Sequence, residues 1–264
     1  MYFRRFNLPT GDSALIPSDI ALKLPDNSSL DAKRLHFLVY IPWDDKYLQS
    51  LDNADNAYTD FFREMLPYLH ARTTDVHIAT CMPFIHEFLR AHQGTIDEKV
   101  VYIAFILHDS GWSQMSDEEI ASSLGITGLA LNDDAIHPKE RHAILGRNIA
   151  MHVLEQEPYA SQLTVGQREL IYNAILYHDK PWELGVNGAI PLEMKIVCDV
   201  DHLWSFTHEN FWQDIVRKKV NPISYLKNLN DELASYFVTE KGKEKAKLLL
   251  FERQVEVESW RRLV

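Results

Sequence analysis

From about residue 56 onward, apolar residues recur at intervals of three and four. They do so in "AYTDFFREMLPYL", "VHIATCMPFIHEFL", "EKVVYIAFILHD", "ERHAILGRNIAMHVLEQ", "QRELIYNAILYH", "PLEMKIVCDVDHLWSF", "ISYLKNLNDELASYF" and "KAKLLLFERQVEVESWRRL". That spacing lines the apolar side chains along one face of an α-helix, so each stretch predicts an amphipathic helix. Capping residues punctuate several of them: Thr74 precedes the second, "SDEE" opens a short helix at 116, and Thr164 leads the segment that ends at His178. Before residue 56 the period is missing. There "LPTGDSALIPSD" and "LPDNSSLDAK" are turn chemistry, and "LHFLVYIPW" reads as a strand or an extended segment laid over the core. The expectation is a mostly α protein, with an irregular N-terminal segment (residues 1–55) packed on a single helical domain (residues 56–264) that carries extra helices at its C-terminal end.

Composition narrows the partners. The 27 basic and 38 acidic residues leave a net charge of −11 with histidine neutral, so the field of the protein repels nucleic acid and acidic membrane surfaces. Apolar runs such as "VVYIAFIL" and "KLLLF" fall short of the roughly 20 residues needed to cross a bilayer, and no apolar stretch follows the basic residues of "MYFRRFNLPTGDS". A cytoplasmic protein is expected. Cys81 and Cys198 lie in apolar segments and read as buried free thiols.

The polar residues that interrupt the apolar faces carry the chemistry. His77 shares a helix face with Cys81, Phe84, Ile85 and Phe88, and His108 lies over Ala104 and Val101 with Asp109 immediately after it at the helix end. His142 stacks with Leu145, Gly146, Ile149 and Val153; His178 follows Ile171, Ala174 and Ile175. Asp201 sits with Met194, Val197, Cys198 and Trp204, whereas Asp199 has a more mixed neighbourhood, so Asp201 is the inward candidate. A single histidine on an apolar face is ordinarily a satisfied core residue. Repetition over five helices is different: neutral imidazoles and carboxylates converging in a helical core are what divalent first-row metals select.

The ordered set His77, His108, Asp109, His142, His178 and Asp201 resembles the HD-domain superfamily of metal-dependent phosphohydrolases. The resemblance rests on "HDSG" after an apolar helix, on the upstream "DVHIATCMPFI" and on "CDVDHLW", and spans about residues 70–206. "HAILG" and "ILYHDKPW" are similar to the two further histidine segments of members that hold two metals. The resemblance implies that Asp109 bridges two metals, that His77, His108 and Asp201 hold one, and that His142 and His178 hold the other. Two departures stand out: Trp112 occupies a position where many members have lysine or histidine, and Asp179 follows His178 where the cyclic-dinucleotide phosphodiesterases carry a second histidine. A cyclic dinucleotide substrate is therefore not expected.

The expected activity is hydrolysis of a nucleotide or other small phosphoester by metal-activated water, with one or two divalent ions (Fe, Mn, Mg, Co or Zn) as cofactor. Asp109 and Lys180 are the catalytic candidates, and Lys180, Arg141 and Lys139 the candidate contacts to phosphate oxygens. The same ligands fit two other readings: a di-iron oxygenase cleaving a small polyol or phosphonate, and a non-catalytic, metal-bound sensor or interaction domain. The C-terminal segment "KAKLLLFERQVEVESWRRL" reads as a terminal helix packed on the core, with use as a homodimer surface left open.

Overall fold

The computed structural model describes residues 1–25, 35–51, 56–124, 136–180, 183 and 189–264. Among these the chain forms eleven α-helices and one two-stranded sheet. It divides into two compact units, one joining residues 1–42, 116–133 and 202–264, the other joining 43–115 and 134–201. The N-terminal stretch 1–55 contributes to both; its residues 26–34 and 52–55 lie outside the described set.

The second unit contains α1 (Asn56–Met65), α2 (Thr74–Ala91), α3 (Glu98–Leu107), α5 (Pro138–Leu154), the single turn α6 (Tyr159–Gln162), α7 (Val165–Leu176) and α8 (Leu192–Leu203) as far as Asp201. Helix α3 is buried at every position from Val100 to Leu107, as a helix that is apolar all round must be, and it touches α1, α2, α5 and α7. Its start is capped by Asp97, whose side chain accepts from the Val100 amide. Thr164 caps α7 in a reciprocal box with Gln167, as its position predicts. Thr74 does not cap α2. The cap is Thr73, which has a left-handed backbone (φ 68°) and makes no side-chain cap bond, because the chain enters α2 through a kink at Arg72 (φ 58°).

In the first unit, the turn-rich N-terminus proves to be a β-hairpin. Strands β1 (Phe3–Asn7) and β2 (Ser13–Pro17) pair antiparallel, Phe3 opposite Pro17 and Asn7 opposite Ser13, around a loop in which Gly11 takes a positive φ of 86°. "LHFLVYIPW" does not form a strand: Leu35–Leu38 is a 3-10 turn, and Tyr40 makes only an isolated bridge to Lys23. Helix α4 (Asp117–Ser123) opens at Ser116 with a capping box to Glu119. Helices α9 (His208–Arg217), α10 (Pro222–Tyr236) and α11 (Glu240–Arg261) complete the unit. Helix α11 buries Ala246, Leu249, Arg253 and Val257 and exposes Leu248, Phe251 and Val255. No helix of the described residues is long and apolar enough to cross a membrane.

Helix α9 falls outside the periodic segments of the sequence reading, although Phe211, Trp212, Ile215 and Val216 recur at helical spacing; its polar Asn210, Asp214 and Arg217 are buried as well. Those polar groups satisfy one another. The Asp214 carboxylate accepts from Arg217 Nε at 3.0 Å and from the Tyr225 hydroxyl at 2.5 Å, and Lys218 Nζ lies at 2.8 Å. Burial pushes the Asp214 carboxyl up, but Arg217 and Lys218 outweigh it and hold it well below the usual carboxylate range. With the folded-state pKa depressed, this stabilisation is complete above the unfolded value near 3.8 and is lost as the pH falls below it. Replacing Asp214 with Ala leaves Arg217 without its buried partner and is expected to cost about 3–5 kcal/mol in urea unfolding at pH 7. The difference from wild type should shrink as the pH is lowered through 4.

Candidate metal centre

Five helices deliver six side chains to one place in the second unit. His77 comes from the second turn of α2, His108 and Asp109 from the end of α3, His142 from α5, His178 from just past α7 and Asp201 from α8. His77, His108, His142 and His178 are each no more than 3% exposed. His77, His108, Asp109 and Asp201 each offer a ligand atom within 4.8 Å of the others, and so do Asp109, His142 and His178.

Asp109 joins the two sets through its two oxygens. Oδ2 lies 3.4 Å from His77 Nδ1 and 3.7 Å from His108 Nε2; Oδ1 lies 3.2 Å from His142 Nε2 and 3.7 Å from His178 Nε2. Asp201 Oδ1 closes the first set, 3.3 Å from His108 Nε2 and 3.5 Å from His77 Nε2. In the second set the two Nε2 atoms of His142 and His178 stand 3.1 Å apart.

The local sequence sets the imidazole orientations. His108 Nδ1 donates to the Phe105 carbonyl and His178 Nδ1 to the Ile175 carbonyl, both at 2.6 Å. A carbonyl only accepts, so Nδ1 carries the hydrogen in both rings and the neutral tautomer leaves Nε2 with a bare lone pair. Those lone pairs point at carboxylate oxygens, an arrangement that repels unless something positive lies between. Without a metal, a proton fills that role at His108: burial works to push it down, but Asp109 and Asp201 outweigh burial and hold it up to about 9. Burial likewise raises Asp109, yet charged His108 and the hydrogen bonds from His142 and His77 carry it well below the usual range. Burial depresses His77 and His142, which favours the neutral, ligating form. His142 Nδ1 is buried without a hydrogen-bond partner. The donor set of imidazole nitrogens and carboxylate oxygens, with Nε2 lone pairs aimed inward, thus fits a divalent cation.

Close backbone packing brings α5 to the cluster. A Cβ on Gly111 would lie 1.9 Å from the His142 carbonyl oxygen and 2.6 Å from the Gly146 amide nitrogen, and one on Gly146 would lie 3.1 Å from the His108 carbonyl oxygen. The glycine after "HDS" therefore lets the 3-10 turn Ser110–Gln114 sit directly on the α5 backbone.

The remaining expected residues lie apart from these contacts. Lys180 is exposed with Nζ 3.1 Å from Glu183, and Arg141 and Lys139 are exposed on α5. Asp199, read as the less inward aspartate, is fully buried, as are its helix neighbours Ile196, Val197, Val200 and Leu203. Asp201 is nonetheless the one in the cluster. Two contributors were not anticipated as such. Asp179 Oδ2 is 3.8 Å from His178 Nε2 and forms a third group with His178 and Asp201; the repeated His-Asp dipeptide at 178–179 is the signal that would have found it. Trp112 donates from Nε1 to Asp109 Oδ1 at 2.9 Å and stacks on His142.

Residues 74–204 match the family model of the HD domain, a span that contains all six residues of the cluster. These residues form an HD domain, and HD domains bind divalent metals and support metal-dependent hydrolase-type activity. No curated protein and no solved structure matches the chain.

Replacing Gly111 with Ala is expected to force the turn off α5, costing about 1–3 kcal/mol or more in chemical denaturation. Because that shift displaces His142, the same variant should also retain less metal by elemental analysis after purification without chelator.

Proposed function

We propose that the protein is a metal-dependent phosphohydrolase acting on a nucleotide or other small phosphoester. The observation that carries this reading is the carboxylate of Asp109, whose two oxygens each face a separate pair of histidines across one buried cluster. In this reading His77, His108 and Asp201 hold one divalent ion, His142 and His178 hold a second, and Asp109 bridges them. When bound, such ions supply hydroxide near neutral pH and charge for the phosphoryl oxygens. The side chains prepare for this without rearranging: His108 and His178 are locked by their carbonyl partners, and Asp109 is held ionised. Lys180 and Arg141, next in sequence to His178 and His142, are assigned to the substrate phosphate, with Lys180 leaving Glu183 to reach it. A divalent ion also offsets the repulsion that a chain of net charge −11 exerts on an anionic substrate.

A second reading keeps the ligands and changes the reaction to iron-dependent oxygenation of a small polyol or phosphonate. It is favoured by Asp179, which adds a carboxylate beside His178 and so makes that half of the cluster less hospitable to a phosphate dianion.

Phosphate release from a panel of nucleotides and small phosphomonoesters, measured with manganese or cobalt under nitrogen, tests the first reading against the second. Anaerobic turnover that falls about a thousandfold in Asp109→Ala is expected, since the loss of several kcal/mol of transition-state stabilisation scales at 1.36 kcal/mol per decade. A metal-loaded protein inert to the whole panel overturns the proposal. Oxygen consumption by the iron-loaded protein supports the second reading.

A further inference from the structure

Trp112 stands directly after the "HDSG" run, 1% exposed, and it touches the cluster twice. Its Nε1 donates to Asp109 Oδ1, and its ring lies parallel to that of His142, with centroids 4.1 Å apart and 11° between planes. The guanidinium carbon of Arg72 sits 4.2 Å from the same indole centre. Two planar groups this near one ring centre cannot share a face without colliding, so Arg72, Trp112 and His142 form three layers with the indole in the middle. Arg72 and Thr73 both have a left-handed backbone, φ 58° and 68°, a conformation rarely adopted without support from packing.

Both contacts fall on the same half of the cluster. Oδ1 is the Asp109 oxygen that faces His142 and His178, whereas Oδ2 faces His77 and His108. We propose that Trp112 is a positioning residue for one half of the centre only: it fixes the Asp109 Oδ1 lone pairs and the His142 ring plane, and leaves the half formed by His77, His108 and Asp201 to its own carbonyl and carboxylate contacts. The inference rests on the reading of the cluster as a two-ion centre. Outer hydrogen bonds to ligating groups orient them, and losing one typically weakens metal binding by ten- to a hundredfold. The indole therefore makes the two halves differ in what their affinity depends on.

Calorimetric titration of the metal-free full chain with manganese or cobalt tests this, using Trp112→Phe, which keeps an aromatic face and removes the N–H. Wild type is expected to bind two equivalents. The variant should bind one of them within about threefold of the wild-type affinity and the other at least about tenfold more weakly. In the cobalt-loaded form, the visible absorption bands of only one ion should change. Equal weakening of both equivalents, or of neither, overturns the proposal while leaving the two-ion reading intact. Fewer than two equivalents in wild type overturns both. Should Trp112→Phe fail to fold, Arg72→Met leaves the indole in place but strips its outer layer. A smaller loss confined to the same equivalent supports the proposal, and an unchanged titration overturns it.

Discussion

A carboxylate buried among imidazoles is the constraint on which the HD-domain unit depends. Asp109 is ionised at the buried end of α3, and an isolated charge in that position would cost several kcal/mol or more. Its two oxygens must therefore be met by positive charge or donors from more than one direction. That requirement explains why α2, α5, α7 and α8 all send a polar side chain toward the end of α3, although each is otherwise an ordinary amphipathic or buried helix. It also explains the glycines. Helix α5 reaches Asp109 Oδ1 with His142 only because Gly111 and Gly146 allow backbone to meet backbone.

Helix termination and ligand orientation turn out to be a single device. The last carbonyls of an α-helix lack intrahelical donors. Phe105 and Ile175 are such carbonyls at the ends of α3 and α7, and each is satisfied by the Nδ1 of a histidine three residues on. Satisfying the helix end thus fixes the tautomer and turns Nε2 inward. Both histidines are followed by aspartate, and in both cases that aspartate lies within 3.8 Å of the preceding imidazole. The same local chemistry is used twice, once at the middle of the cluster and once at its more exposed margin, where the Asp179 side chain is 31% exposed against 15% for Asp109.

Much of this was readable from periodicity and little from propensity. The eight periodic segments coincide with helices, and the faces assigned to His77, His108, His142 and His178 point inward as offsets of three, four and seven require. Failures occurred where burial and polarity part company. Helix α9 carries helical spacing in Phe211, Trp212, Ile215 and Val216, but Asn210, Asp214 and Arg217, which read as an exposed face, are buried and bonded to one another. The hairpin Phe3–Pro17 was missed because its strands, FRRFN and SALIP, do not alternate apolar with polar residues, and the second lies within a stretch read as turn chemistry. Face assignment chose Asp201 over Asp199, but burial runs the other way, Asp199 being fully buried and the Asp201 side chain 14% exposed; the company of His77 and His108 marks Asp201. Trp112 was noticed only as a departure from a familiar pattern, since a sequence does not reveal that an indole N–H and an indole face serve two different ligands.

The chain buries carboxylates in two ways, and the contrast says what the cluster is for. In the other unit Asp214 is met by Arg217 Nε at 3.0 Å, by Lys218 Nζ at 2.8 Å and by the Tyr225 hydroxyl at 2.5 Å. The guanidinium and ammonium that carry the charge there are donors alone, with no accepting lone pair. A carboxylate compensated by them is closed, because no site for a further cation remains. Asp109 and Asp201 are instead surrounded by imidazoles, which neutralise a carboxylate only while they hold a proton and become acceptors once they lose it. A protein needing nothing more than buried stability at this point had the arginine solution available and used it elsewhere. Choosing imidazole leaves the charge balance to be completed from outside, which is what a donor set that could hold a divalent cation requires.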